Sequence, residues 1–356
     1  MRIVQVVESS ATGTLSIVSL IANGFVEAGH EVHVIYSIRP DTPDELHGLF
    51  DARVRLLHLQ MRGGSPISVL RTLRRHLVAL DPQVVHLHSS FAGFVGRLAS
   101  LGRLRHALFL YSPHCIAFMR RDVSALKRHL FVALERLACL RACRYIACSA
   151  SERDAIETSL RQRAAVVENA VEIVPVRDEP RTPGAFVDVV TAGGVRIQKD
   201  PLRFAAIAHA LRRELIRFTW IGDGDAALKH RLRDAGVEVT GWLRRDEVLR
   251  RLGRADVYLS TSAWEGMPVS VIEAMSAGVA VLATRCSGNV DVIDHGVTGL
   301  LHDHLEEAVD SLRVLLGHEG LRRRLGEAAR SEARARFTAA RFIAQLECLY
   351  RGGDLP

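Results

Sequence analysis

Glu265 and Glu273 stand with seven residues between them in the segment W-E-G-M-P-V-S-V-I-E-A-M-S-A-G, 264–278. A proline is tolerated at the first position of a helix and a glycine suits its end, so Pro268 and Gly278 bracket a helix over about 268–277. That helix is apolar or small on every side except at Glu273, the pattern of a buried element. A buried carboxylate needs donors or a cation, and no basic residue lies at i±3 or i±4 of Glu273. Ligand hydroxyls would satisfy it. Glu265 lies on the preceding loop, where backbone N–H groups at the helix N-terminus point towards a bound anion. A carboxylate for each of two polyols, with amides between them for phosphate, suits a nucleotide sugar.

A second cluster has complementary charge. A strand over 187–191 runs into A-G-G-V-R-I-Q-K-D-P, 192–201. Glycines at a strand end, Gly194 among them, let the backbone approach a ligand closely. Arg196 and Lys199 then place two cations beside a helix N-terminus, suited to a diphosphate. They can stabilise a leaving diphosphate without a metal. The sequence offers one D-x-D in this half at a strand end, Asp223-Gly224-Asp225, which reads as a tight turn with Asp225 capping the next helix, or as part of the site lining. Trp242, after Val239-Thr240-Gly241, suits either stacking on a base or ordinary packing. Asn289 and Asp291 suit either sugar contact or capping of a short helix.

Together these segments resemble the retaining, family-four glycosyltransferases of the GT-B fold, whose signature E-G-x-P-x-x-x-x-E matches Glu265 to Glu273. The resemblance covers almost the whole chain. It implies an α/β fold of two doubly wound, Rossmann-like domains facing across a cleft. Glu265 would contact the donor sugar and Glu273 the ribose, with Arg196 and Lys199 on the diphosphate. Gly194, Val239, Gly266, Met267, Val269 and Ser270 would line the donor site, the backbone near Val239 meeting the base. In the N-terminal half, Tyr111-Ser112-Pro113-His114 is similar to the family's S-P-H segment, which places His114 near the donor sugar. His88 is a weaker candidate on the acceptor side, and His86 reads as core. The loop before the first helix has Gly13 alone where relatives usually show paired glycines; it leaves phosphate approach open at Gly13 and Thr14. The segment at Ser287-Gly288-Asn289 lacks the relatives' second glycine and Pro-Glu pair.

The implied reaction moves a sugar with retention from a nucleoside diphosphate, UDP on family frequency, to a hydroxyl acceptor. A lipid-linked glycan of surface polysaccharide assembly and a small-molecule aglycone are both open as acceptors. The expectation includes no metal and no cofactor, the nucleotide sugar being a substrate. A nucleotide-sugar epimerase and a catalytically silent binding protein are the rival readings. No nucleic-acid reading motif supports that use of the basic surface.

Positioning such a site takes alternating elements. Strand-like runs at 3–7, 31–37, 54–59, 84–88, 107–112 and 144–149 alternate with helical stretches including 15–28, 68–80 and 124–140. A second series places strands at 187–191, 217–221, 237–241, 257–260, 279–283 and 299–301. Helices at 201–213, 225–235, 246–252 and 268–277 separate them. Such alternation argues for parallel sheets covered by helices, with ligands at the carboxyl ends of the strands. The expected division is an acceptor-side domain over 1–172, a linker over 173–186 rich in proline and charge, and a nucleotide-sugar domain over 187–337. The helix at 338–356 should return to the first domain.

The chain has 356 residues, ample for two domains, and a composition ordinary for a globular protein. No apolar run is long enough to span a bilayer and no signal core opens the chain, which leads to a cytoplasmic expectation. Six cysteines without a C-x-x-C pair read as reduced structural thiols. Net charge is +7, and residues 1–172 hold 21 Lys and Arg against 15 Asp and Glu. Between Arg120 and Arg144 there are seven basic residues against two acids, with Leu126, Leu130, Phe131, Leu134 and Leu137 at helical spacing. Such a helix can lie on an anionic bilayer at the inner face of a membrane, or turn its apolar stripe inward. Inward packing is the expectation here, since core helices are commonly amphipathic.

Overall fold

The computed structural model describes residues 1–9, 12–63, 65–173 and 186–355. All but the ends of the expected linker, and Ser10 and Ala11 of the first loop, lie outside them. The chain divides into two compact units, Met1–Asn169 with Ala339–Pro356, and Ala170–Thr338.

In the first unit the elements run β1 (Arg2–Val7), α1 (Thr12–Glu27), β2 (Glu31–Tyr36), β3 (Arg55–His58), α2 (Pro66–Leu80), β4 (Val84–His88), α3 (Ser90–Ala99), β5 (Leu108–Ser112), α4 (Ala125–Ala138), β6 (Arg144–Ala147), α5 (Ala150–Leu160) and β7 (Ala164–Val166). The strands form one parallel sheet in the order β3-β2-β1-β4-β5-β6-β7. Near-continuous burial along β1 and β4 is what a sheet covered on both faces requires. One face carries Val4, Val6, Val85, Leu87, Phe109 and Tyr111 into the core. The helix α3 was not singled out by pattern, because Gly93 and Gly96 depress helix propensity. Both are needed: a Cβ on Gly93 would lie 2.3 Å from the Tyr111 ring, and one on Gly96 would lie 2.5 Å from Leu87. The C-terminal helix, Ala339–Tyr350, stacks Tyr350 on Phe25 of α1 at 4.4 Å between ring centroids.

The second unit runs β8 (Val187–Ala192), α6 (Pro201–Ala210), β9 (Ile216–Ile221), α7 (Ala226–Asp234), β10 (Glu238–Val239), α8 (Arg245–Arg254), β11 (Val257–Ser260), α9 (Val269–Ser276), β12 (Ala280–Thr284), α10 (Asn289–Val292), β13 (Leu300–His302), α11 (Leu305–Gly317) and α12 (Glu319–Arg336). Its strands are again parallel, ordered β10-β9-β8-β11-β12-β13. Two doubly wound parallel sheets are what the alternation predicts. In each, strand order reverses next to the first strand, between β1 and β4 and between β8 and β11. These switch points are where such sheets open a crevice.

Two boundaries differ from expectation. Pro268 is the N-cap of α9 rather than its first helical residue, with extended ψ of 102°. Thr12 already belongs to α1, so Gly13 and Thr14 lie in its first turn, not in a loop before it. Their amides remain among those that a helix start leaves without intrahelical partners.

Candidate functional site

Lys199 follows β8 and Glu265 follows β11, and together they bridge the switch point of the second sheet. Lys199 Nζ donates to Glu265 Oε1 at 2.7 Å. Ser262 Oγ donates to the same oxygen at 2.8 Å, and Gln198 Nε2 donates to Oε2 at 3.2 Å. Burial pulls the Lys199 pKa down, but Glu265 and Tyr258 together more than offset this and leave it raised. The cation expected on the diphosphate and the carboxylate expected on the sugar are thus one ion pair. A charge-neutral pair is cheaper to hold in this buried place than either group alone.

Backbone crossings fix that pair. Gly288 has φ of +83°, and a Cβ there would lie 2.7 Å from Glu265 Cβ and 2.9 Å from the Gly266 carbonyl oxygen. Glu265 N donates to the Ser287 carbonyl at 3.2 Å. Gly288 is therefore a positioning residue for Glu265. The Arg196 guanidinium lies across Gly194, where a Cβ would come within 2.5 Å of it. On the next strand, Gly222 and Gly224 pass so close to Gly193 and Val195 that a Cβ would meet their carbonyl oxygens at 2.2 and 2.3 Å.

Asp223 pairs with Lys229, and Asp225 caps α7 by accepting from Leu228 N at 3.0 Å. Of the two readings left open for the Gly-Asp-Gly turn, the structure favours turn and cap. Asp291 resolves similarly, as a cap of α10, whereas Asn289 is buried and bonded elsewhere. Asn289 Nδ2 donates to the Thr284 carbonyl at 2.9 Å, and Asp291 accepts from Gly288 N at 3.0 Å. Among the described residues no three His, Cys, Asp or Glu side chains come together as a metal site.

Glu273 is buried in α9, as its apolar surroundings require, but ligand hydroxyls are not its only recourse. Arg245, at the start of α8, donates to Glu273 Oε1. No sequence-local signal could find Arg245, since the two residues are 28 apart and meet through packing of α8 on α9. Burial raises the Glu273 pKa, and Arg245 opposes that shift without cancelling it. Gly266 and Met267 are buried, while Val269 and Ser270 open α9 half-buried; Tyr258 OH donates to Ser270 Oγ at 2.8 Å. Val239 packs against the hydrophobic core, leaving its backbone as the part a ligand can meet. Trp242 is 47% exposed, so about half of its ring surface is open to a ligand.

The first unit holds a row of histidines on one face of its sheet. His88 Nδ1 lies 3.1 Å from His114 Nε2, and the His86 and His88 rings are 4.0 Å apart. His86 Nδ1 lies 2.6 Å from the Tyr350 hydroxyl and its Nε2 2.9 Å from Ser112 Oγ. Burial drives all three pKa values down, His114 to about 4, so each ring is neutral near pH 7. His88 is fully buried, and its ring is placed to orient His114. His114 has φ of +54° and Cys115 φ of +82°, a strained turn. Glu152, in the first turn of α5, holds that turn by accepting from Cys115 N at 2.7 Å and Ile116 N at 2.8 Å. Its role was missed because a Glu in a first helical turn reads as a helix-dipole partner.

Two family models match the chain: "Glycosyl transferase 4-like domain" over residues 12–170 and "Glycosyl transferases group 1" over 187–318. A Klebsiella pneumoniae protein called "Uncharacterized 41.2 kDa protein in cps region" is 26% identical, over 66% of this chain and 69% of its own. An Escherichia coli UDP-Gal:alpha-D-GlcNAc-diphosphoundecaprenol alpha-1,3-galactosyltransferase is 26% identical over 67% of this chain and 65% of its own. Among solved structures, the Anabaena protein HepE in complex with UDP and glucose has a TM-score of 0.80 at 16% identity, covering 99% of this chain and 100% of that one. With both halves matched and both sheets in place, the chain belongs to the group 1, family-four glycosyltransferases and has their GT-B fold.

Proposed function

We propose that the protein transfers a hexose from a UDP-sugar to a hydroxyl of a lipid-linked glycan, with retention at the anomeric carbon. The observation that carries the reading is the Lys199–Glu265 pair across the β8–β11 switch point, with Arg196 on the same loop and the amides of Val269 and Ser270 opening α9. UDP is supported by the HepE complex, and a diphosphoundecaprenol-linked acceptor by the name of the E. coli relative. The reading places the enzyme in the cytoplasm, at the inner face of a membrane.

In the reaction the bond from the anomeric carbon to the diphosphate oxygen breaks, and the acceptor hydroxyl bonds from the same face. The acceptor proton passes to the departing diphosphate oxygen. Negative charge grows on that diphosphate. Arg196, Lys199 and the N-terminal amides of α9 are fixed donors for it, and preorganised charge of this kind lowers a barrier effectively. Glu265 would orient sugar hydroxyls while keeping Lys199 in place, and Glu273 would accept from ribose hydroxyls. By the family resemblance, His114 would offer a neutral ring nitrogen to the sugar, and Gly13 and Thr14 amides to phosphate. No step needs a metal or cofactor.

A donor screen scored by UDP release, with and without candidate acceptors, tests this. Release that depends on acceptor, with an α-linked product from an α-linked donor, is expected. Conversion of the donor sugar without acceptor would instead identify an epimerase, and tight UDP binding without turnover a silent binding protein.

A further inference from the structure

The helix α4 faces the opposite way from the sequence expectation. Leu126, Leu130 and Leu137 point outward at 81, 54 and 49% exposure, and Leu140, just past the helix end, is 71% exposed. At 3.6 residues per turn these positions fall within roughly 80° of one another, forming a single apolar stripe. Lys127 flanks the stripe on one side, and His129 and Arg136 on the other. The inward face is fixed by other residues. Glu135 is buried, accepting from Arg97 Nη2 at 2.5 Å and from the Tyr111 hydroxyl at 3.2 Å, while Phe131 and Val132 pack on the core. Turning the leucines inward would expel Glu135 from the buried Arg97, so the orientation is not open to exchange.

We propose that α4 is a docking face for an anionic bilayer, its leucines entering the head-group boundary while Lys127 and Arg136 meet lipid phosphates. The charge balance selects this occupant. The acids nearest the stripe are both engaged, Glu135 with Arg97 and Asp122 with Arg120, whereas Arg121 and Lys127 are exposed near it. An apolar stripe with basic flanks and no exposed unpaired acid is the pattern of a helix lying in the plane of a membrane interface. Like cations would repel a second copy of the same face. No helix of the described residues is long and apolar enough to cross a membrane, so contact of this kind is peripheral. The inference rests on the reading that the acceptor is lipid-borne.

Vesicle co-sedimentation tests it, using phosphatidylcholine alone and phosphatidylcholine mixed with phosphatidylglycerol. The full chain should pellet with the anionic vesicles, far less with the neutral ones, and progressively less as salt rises. Leu126→Gln and Leu130→Gln should each weaken partitioning about tenfold. Lys127→Gln with Arg136→Gln should weaken binding at low salt and flatten the salt dependence. UDP binding, measured by calorimetry on the same variants, should be unchanged, which separates this face from the donor site. No binding to anionic vesicles at low salt would overturn the docking proposal, whereas lost UDP binding in the parent chain would overturn the transferase reading. A dimer that dissociates on leucine substitution, seen by sedimentation velocity, would assign the stripe to a second copy and also overturn it.

Discussion

Substituting the two partners of the Glu273–Arg245 pair should give unequal results, because their surroundings differ. The Glu273 side chain is 4% exposed and that of Arg245 is 37% exposed. In Glu273→Gln the guanidinium can rehydrate, so the fold should lose less than about 1 kcal/mol. Nucleotide affinity should fall further, since two ribose hydroxyls lose a charged acceptor. That loss is about 2–4 kcal/mol, or roughly thirtyfold to a thousandfold in Kd. In Arg245→Ala the carboxylate stays buried without its cation, which should cost about 1–3 kcal/mol of stability. Arg245 also opposes the burial that raises the Glu273 pKa, so its loss should push that pKa higher still. UDP affinity of Arg245→Ala should then weaken most at acid pH and recover as pH rises and Glu273 ionises; Lys199 and Glu172 also act on this carboxyl and are unaltered. Calorimetric titration with UDP and with its 2′,3′-dideoxy analogue reads the first effect, and urea unfolding reads the second. The dideoxy compound should bind the parent and Glu273→Gln alike, as a double-mutant cycle through the ribose requires. Equal loss for both ligands, or unchanged UDP affinity in Glu273→Gln, would refute the assignment of Glu273 to the ribose.

Arg196→Ala or Lys199→Ala should lower turnover on the order of a hundredfold, with activity of the parent chain surviving chelator. Activity lost in chelator and restored by magnesium would move Asp223 and Asp225 into the site. Gly288→Ala should cost about 1–3 kcal/mol and reduce turnover, because its Cβ would meet Glu265 in a left-handed conformation. Full activity and an unshifted unfolding midpoint would show that Glu265 does not depend on this crossing. Histidines held neutral by burial, His86, His88, His114 and His302, have folded-state pKa values below their unfolded values. Their contribution to stability is whole above pH about 6.5 and is lost as pH falls towards 4, at up to about 1.4 kcal/mol per pH unit for each. A urea-unfolding free energy that stays flat between pH 7 and 5 would show the rings to be protonated in the fold.

Sequence alone determined the two parallel sheets, because fully buried strands and intervening amphipathic helices write their periods into short windows. It also determined the α9 segment, since Pro268, Gly278 and an apolar helix interrupted once by Glu273 are local facts. Side-chain partners were another matter. That Lys199 would meet Glu265, and Arg245 would meet Glu273, depends on which strands and helices become neighbours, and the pairs lie 66 and 28 residues apart in the chain. The burial of His88, the hold of Glu152 on the strained turn at His114, and the close passage of Gly288 by Glu265 are likewise products of packing. The direction of α4 shows the limit most plainly. Its apolar and charged positions permit either face to be buried. The choice was made by Glu135, whose carboxylate is worth burying only where Arg97 and Tyr111 wait on other elements.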